Sequence, residues 1–156
     1  MITAVDTNVL FDLLIPQAPR GELSERALTD AARAGALVVS EPVYAELAAF
    51  FPGRDQLEKF LNDTRIRHDP SSSLTLYEAG RAWRQYRERR PAGVMCSRCG
   101  QTQVARCAHC DEVIAVRQHV VADFIIGAHG LLQADRLLTH DRGDYATYFP
   151  DLAIVS

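Results

Sequence analysis

Short apolar runs in this chain alternate with longer stretches in which apolar residues recur every three or four positions. The first run, Ile2 to Val5, predicts a buried strand whose carboxyl end presents Asp6. Thr7 or Asn8 is expected to cap the short helix through Val9-Leu10-Phe11-Asp12-Leu13-Leu14. Pro16 and Pro19 break the chain. A helix is predicted from Glu22, with Leu23, Ala27, Leu28, Ala31 and Ala32 at helical spacing and Gly35 as its stop. Ala36 to Ser40 is a second strand. Pro42 suits the first turn of the next helix, where its missing N–H has no partner to lose. Val43, Leu47 and Phe50 are that helix's core stripe, and Glu46 lies one residue off it.

Asp55 to Asp63 predicts a further amphipathic helix with Leu57, Phe60 and Leu61 inward. A strand around Ile66 and a turn at Asp69-Pro70 follow. One of Ser71, Ser72 and Ser73 caps a long helix running to about Arg90. Its expected apolar face is Leu76, Ala79, Gly80, Trp83 and Tyr86, with Arg81 and Arg84 outward. Helical periodicity resumes near Arg117, where Val121, Phe124, Ile125, Ala128 and Leu132 carry the spacing of a buried face. Arg136 to Thr139 and Leu152 to Val155 read as strands, and the residues after Thr139 as a polar turn.

Helices between short β-rich runs predict an α/β fold, a parallel sheet with helices packed on it. Binding sites in such sheets form beyond the carboxyl ends of the strands. A single domain over 1–156 is expected, with 94–116 inserted between two helices.

Composition changes this picture little. At 156 residues, 47% hydrophobic and 24% charged, the chain has the balance of an ordinary globular domain. The first residues show no basic segment followed by an apolar one, and no apolar run approaches a membrane span, so no membrane association and a cytoplasmic location are expected. Charge is more telling. The formal net charge is −3, yet eight arginines stand against three acids between Arg81 and Arg117. That excess suits either a phosphate-facing patch or a solvated helix face.

The acids carry the candidate chemistry. Asp6 ends the first strand, Glu46 is on the helix after the second, and Asp141 follows a late strand. Asp123 stands between Val-Val-Ala and Phe-Ile-Ile, where an ionised, unpaired carboxylate is costly and calls for a partner, a metal or a pocket. On a parallel sheet these positions converge on one edge. Four carboxylates there repel one another unless hard cations relieve them, and Mg²⁺ or Mn²⁺ with oxygen ligands fits best. Such ions activate an attacking water, orient a phosphate and stabilise the leaving oxygen. Thr7, Asn8 and Thr139 are placed to hydrogen-bond carboxylates or a phosphate.

VDTNVLFDLL at the start, Glu46 in VYAEL, ADFIIGAHG around Asp123 and LLTHDRGDY near the end together resemble the PIN-domain nucleases, most of all the VapC-type toxins of toxin–antitoxin pairs. The resemblance spans nearly the whole chain outside roughly 94–116. It implies a PIN-like fold, that is a Rossmann-like α/β/α sandwich on a central parallel sheet, with Mg²⁺- or Mn²⁺-dependent RNA cleavage, homodimerisation and neutralisation by a small antitoxin. Asp6, Glu46, Asp123 and Asp141 match the family's acidic quartet, with Asp144 an extra acid that can assist. One departure is His140, where many relatives carry Arg.

All the cysteines fall between Cys96 and Cys110. Cys96-Ser-Arg-Cys99 and Cys107-Ala-His-Cys110 form two C-x-x-C pairs, the pattern of a tetrahedral thiolate site for structural Zn²⁺. An iron–sulfur centre fits less well, and neither pair has the His that follows the second Cys in c-type haem attachment. Two further functions stay open on the sequence: a catalytically inactive zinc-finger adaptor for RNA or protein, and phosphoryl-transfer signalling. The second lacks a lysine near a late strand, since Lys59 is the only one in the chain.

Overall fold

The computed structural model describes residues 1–89, 94–95, 101–114 and 120–156. Strand β1 (Ile2–Val5) leads into helices α1 (Thr7–Leu14) and α2 (Gly21–Ala34), then strand β2 (Ala36–Val39). Helices α3 (Glu41–Phe50) and α4 (Arg54–Thr64) precede strand β3 (Ile66–His68), and α5 (Ser73–Arg89) follows it. A small antiparallel pair, β4 (Val94–Met95) and β5 (Thr102–Gln103), comes next. The chain closes with α6 (Val121–Leu132), β6 (Arg136–Leu138), α7 (Gly143–Tyr148) and β7 (Ile154–Val155).

The five long-range strands form one parallel sheet in the order β3-β2-β1-β6-β7. Connections from β1 to β2 and β2 to β3 run one way along the sheet, and the β3-to-β6 connection runs back. Right-handed crossovers therefore put the two sets of helices on opposite faces. The expected three-layer α/β sandwich is the fold observed. The reversal falls between β1 and β6, so a crevice opens beyond their carboxyl ends.

Parallel strands buried on both faces need continuous apolar sequence, and Ala4, Val5, Val38, Val39, Leu137 and Leu138 supply it. Gly35 is required where the chain enters β2. Its φ is +158°, and a Cβ there would stand 1.9 Å from the Met1 carbonyl oxygen.

Several helices present a different face from the one expected. In α5 the buried residues are Thr75, Ala79, Ala82 and Tyr86, while Leu76 and Gly80 face solvent and Trp83 is half-buried. The Ser72 hydroxyl accepts the Thr75 N–H at 3.1 Å and caps this helix. Phe50 and Leu23, both expected inward, are exposed. Helix α6 begins at Val121 rather than near Arg117, and Val121 and Leu132 are exposed; Phe124, Ile126, Ala128 and His129 face inward instead. The expected polar turn after Thr139 contains α7. Its Tyr145 and the following Phe149 are buried, and Gly127 of α6 leaves room for both rings. Among the described residues no helix is long and apolar enough to cross a membrane.

Candidate active site

Strand β1 delivers Asp6 to the crevice. The Asp6 N–H donates to the Leu138 carbonyl at 3.0 Å, continuing the ladder one residue past the strand. Its side chain then caps α1, with Oδ1 accepting the Thr7 N–H at 2.7 Å. Asp6 itself is thus the cap, in place of Thr7 or Asn8, and those two are freed for other bonds. Asn8 Nδ2 donates to Asp6 Oδ2 at 2.9 Å, and the Thr7 hydroxyl donates to Glu46 Oε2.

Thr139, one residue past β6, joins the two sides of the crevice. It is fully buried, and its hydroxyl donates to Asp6 Oδ2 at 2.6 Å. Thr139 Oγ1 in turn accepts from Asn8 Nδ2 at 3.0 Å and from the Asp141 N–H at 3.0 Å. One hydroxyl therefore fixes Asp6, Asn8 and the start of the Asp141 loop.

Asp123 sits in the first turn of α6, where its Oδ2 accepts the Val120 N–H at 2.9 Å. The side chain is half-buried, not sealed in an apolar environment as its sequence neighbours suggested. Residues adjacent in a helix point about 100° apart, so Ala122 and Phe124 do not surround it. Its position at a helix N-terminus also favours a negative charge.

Asp6, Glu46, Asp123 and Asp141 all line one pocket of about 290 Å³, together with Thr7 and Asn8. Much of the remaining lining is aromatic: Phe11, Phe124, Tyr145, Tyr148 and Phe149. The Asp144 side chain lies outside the described residues. Among those described, no three His, Cys, Asp or Glu side chains close into a ready-made cation cage. The acids border a shared space instead of converging on one point, an arrangement open to a cation that keeps part of its water shell.

The electrostatics agree with a crowded acidic site. Burial pushes the Asp6 carboxyl above its usual range, and the neighbouring Glu46 charge adds to the rise; bonds from Thr139, Thr7 and Tyr145 pull the other way. Tyr145, missed in the sequence, donates its hydroxyl toward Asp6 Oδ2 at 3.4 Å. Its phenol is raised far above the usual range by burial and then by the charges of Asp6, Asp123 and Asp141, so it stays protonated and a donor. A tyrosine inside a polar turn carries no pattern that marks it as a site residue.

His140 turns away from the pocket. Its Nε2 lies 2.9 Å from Asp12 Oδ2 and 2.8 Å from the Ser24 hydroxyl, and its N–H donates to Asn8 Oδ1 at 3.3 Å. It clasps the Asp141 loop to α1 and α2. Where relatives are expected to carry Arg, this chain has a buried tether.

Of the cysteine motif, Cys96 and Cys99 lie outside the described residues. Cys107 and Cys110 are described, the first half-buried and the second exposed, and neither is in a disulfide. Backbone N–H groups of His109 and Cys110, with the Cys110 thiol, hold the Cys107 thiol below its usual range. The turn closes with the Asp111 N–H on the Cys107 carbonyl at 2.9 Å and Asp111 at a φ of 56°.

A parallel sheet with an acid-lined pocket at its switch point defines a class of α/β proteins, and solved structures share this particular arrangement of elements. The chain is similar to VapBC2 from Rickettsia felis bound to a DNA fragment from their promoter, at 14% identity over 99% of this chain and 98% of that one, with a TM-score of 0.61. It is also similar to VapBC-1 from nontypeable Haemophilus influenzae, at 19% identity over 100% and 98% of the chains, TM-score 0.61. A third is FitAcB from Neisseria gonorrhoeae, at 18% identity over 100% and 97%, TM-score 0.54. Identities this low speak to the fold, which matches the PIN-like sandwich expected. No protein-family model and no curated protein matches the chain.

Proposed function

We propose that this protein is a Mg²⁺- or Mn²⁺-dependent endoribonuclease, the toxin of a type II toxin–antitoxin pair, restrained by a small antitoxin protein and acting as a homodimer. One observation carries the reading. Asp6, Glu46, Asp123 and Asp141, from four separate elements, line a single pocket at the switch point of the sheet. The likeness in fold to VapBC and FitAcB structures supports it.

The donor set fits a hard cation, since every polar group bordering the pocket offers oxygen apart from the Asn8 amide. Asp6, Glu46, Asp123 and Asp141 are the residues that would hold the metal. When bound, it supplies positive charge for the scissile phosphate and makes water acidic enough to attack. The chain's own contribution is orientation. Thr139, Asn8 and the Thr7 N–H fix both oxygens of Asp6. The Thr7 hydroxyl aims Glu46, and the α6 terminus holds Asp123. The Tyr145 hydroxyl donates toward Asp6 Oδ2 as well.

Cys96, Cys99, Cys107 and Cys110 form the second metal site in this reading, a structural Zn²⁺ centre. The inward-turned N–H groups at Cys107 are those that stabilise a metal-bound thiolate.

The test is cleavage of single-stranded RNA by purified protein with Mn²⁺, with and without Asp6→Asn. Cleavage that disappears in the variant is expected. No cleavage with any divalent metal, from a folded protein, would leave the inactive adaptor instead.

A further inference from the structure

The aromatic wall of the pocket has no part in holding a cation. The pocket measures about 290 Å³. The acids that would ligate a cation already form part of the wall, so the ion and the few waters completing its shell, at about 30 Å³ per water, leave much of that space open. What remains is bordered by Phe11 and Tyr148, both half-buried, with Phe124 and Phe149 buried behind them. Tyr148 is braced by T-shaped contacts, 5.3 Å from Phe124 and 5.9 Å from Tyr86, so its ring is held in place.

Tyr86 also brings the last turns of α5 beside the pocket. Exposed on that end are Arg84, Arg87 and Arg89, with the acid Glu88 among them. Arg84 and Arg89 form no ion pair among the described residues, while Arg87 lies 5.1 Å over the Trp83 ring. A site lined with carboxylates repels a polyanion, and the positive charge of this helix end offsets that repulsion for a phosphate backbone.

We infer that the wall formed by Phe11 and Tyr148 takes one unstacked nucleobase of the RNA strand whose backbone follows the arginines of α5. A paired base cannot enter, so the base taken comes from an unpaired stretch of the strand. Base-on-aromatic stacking tolerates any base, and its loss weakens binding about tenfold. The inference rests on the reading of the site as an RNA-cleaving one and adds to it the feature of RNA that is recognised.

The test uses full-length protein and fluorescent single-stranded oligoribonucleotides in Ca²⁺, checked intact after each titration. One position at a time is made abasic. Wild type is expected to lose about tenfold in affinity at one position. Tyr148→Leu should bind the intact strand about tenfold more weakly and be indifferent to that abasic site. Phe11→Leu is the second variant, and both keep an apolar side chain so that folding is retained. Equal wild-type affinity for intact and abasic strands would overturn the inference and give the wall to a protein side chain. Equal losses by the variant on both strands would overturn it too. Parallel assays in Mn²⁺ separate the two readings: base-dependent binding without cleavage upholds this inference against the nuclease, and cleavage indifferent to the base does the reverse.

Discussion

Replacing Gly127 by Ala pits two opposing effects against each other within one helix. In a helix interior Gly→Ala ordinarily stabilises by about 1 kcal/mol, because Ala loses less conformational freedom. At Gly127 the new Cβ would stand 2.4 Å from Phe149 Cε2, 2.6 Å from Phe149 Cδ2 and 3.0 Å from Tyr145 Cδ1. Phe149 is only 5% exposed, so its ring has no solvent to move into. Overpacking of this kind costs about 1–3 kcal/mol, and a rigid ring places it toward the upper end. The expected net effect is a loss of about 1–2 kcal/mol, or roughly 2–8 °C in Tm for a chain of this size. Gly80→Ala is the internal control, since nothing lies within 4 Å of its Cβ; there the gain of about 0.5–1 kcal/mol should appear undiminished. Urea unfolding of both variants measures the difference. If Gly127→Ala proves as stable as Gly80→Ala, α7 does not pack on α6 as described. The route by which Tyr145 reaches Asp6 would then be wrong as well.

Three other expectations follow from the same contacts. Thr139→Val keeps the shape but removes the hydroxyl shared by Asp6, Asn8 and the Asp141 N–H; urea unfolding should show a loss of about 1–3 kcal/mol, and an unchanged midpoint would deny Thr139 its joining role. Burial opposes the charge of Glu41, but bonds from the Ser71 hydroxyl, its own helix-terminal N–H and the Ser71 N–H outweigh it and hold the carboxyl below its usual range. A depressed carboxyl stabilises above its unfolded pKa and loses that contribution as pH falls through the folded one. Glu41→Gln should therefore be less stable than wild type at neutral pH, with the gap narrowing in acid, and a gap independent of pH would contradict the assignment. Elemental analysis should find about one zinc per chain, absent in a Cys107→Ser, Cys110→Ser double variant, and zinc-free wild type as purified would remove the finger.

The positions of Asp6 and Asp141 were legible because apolar runs end abruptly at them, and a parallel sheet places all such ends on one edge. Asp123 was legible from its apolar neighbours, which set a carboxylate in need of a partner or a pocket. It has both, the Val120 N–H at its own helix terminus and a pocket that Phe124 and Ile126 also line. Thr139 was legible as a hydroxyl at a strand end beside the acids, and it does bond Asp6. Tyr145 reaches Asp6 from 139 residues away in the chain, and no local spacing encodes such a bond. Helix α7 spans only Gly143–Tyr148, too short to show a periodicity. In α5, Leu76 and Trp83 define a plausible stripe, yet packing on α6 selects Thr75, Ala79, Ala82 and Tyr86. Small residues allow the close approach of two helices, and hydrophobicity alone points to the neighbouring face.

The central claim is that the carboxylate pocket is a divalent-cation site. Mn²⁺ titration followed by electron paramagnetic resonance tests it directly, on wild type, Asp6→Asn and Cys107→Ser. The account predicts Mn²⁺ bound by wild type and by Cys107→Ser, and binding lost in an Asp6→Asn protein that unfolds as wild type does. Equal Mn²⁺ affinity in Asp6→Asn and wild type would contradict it.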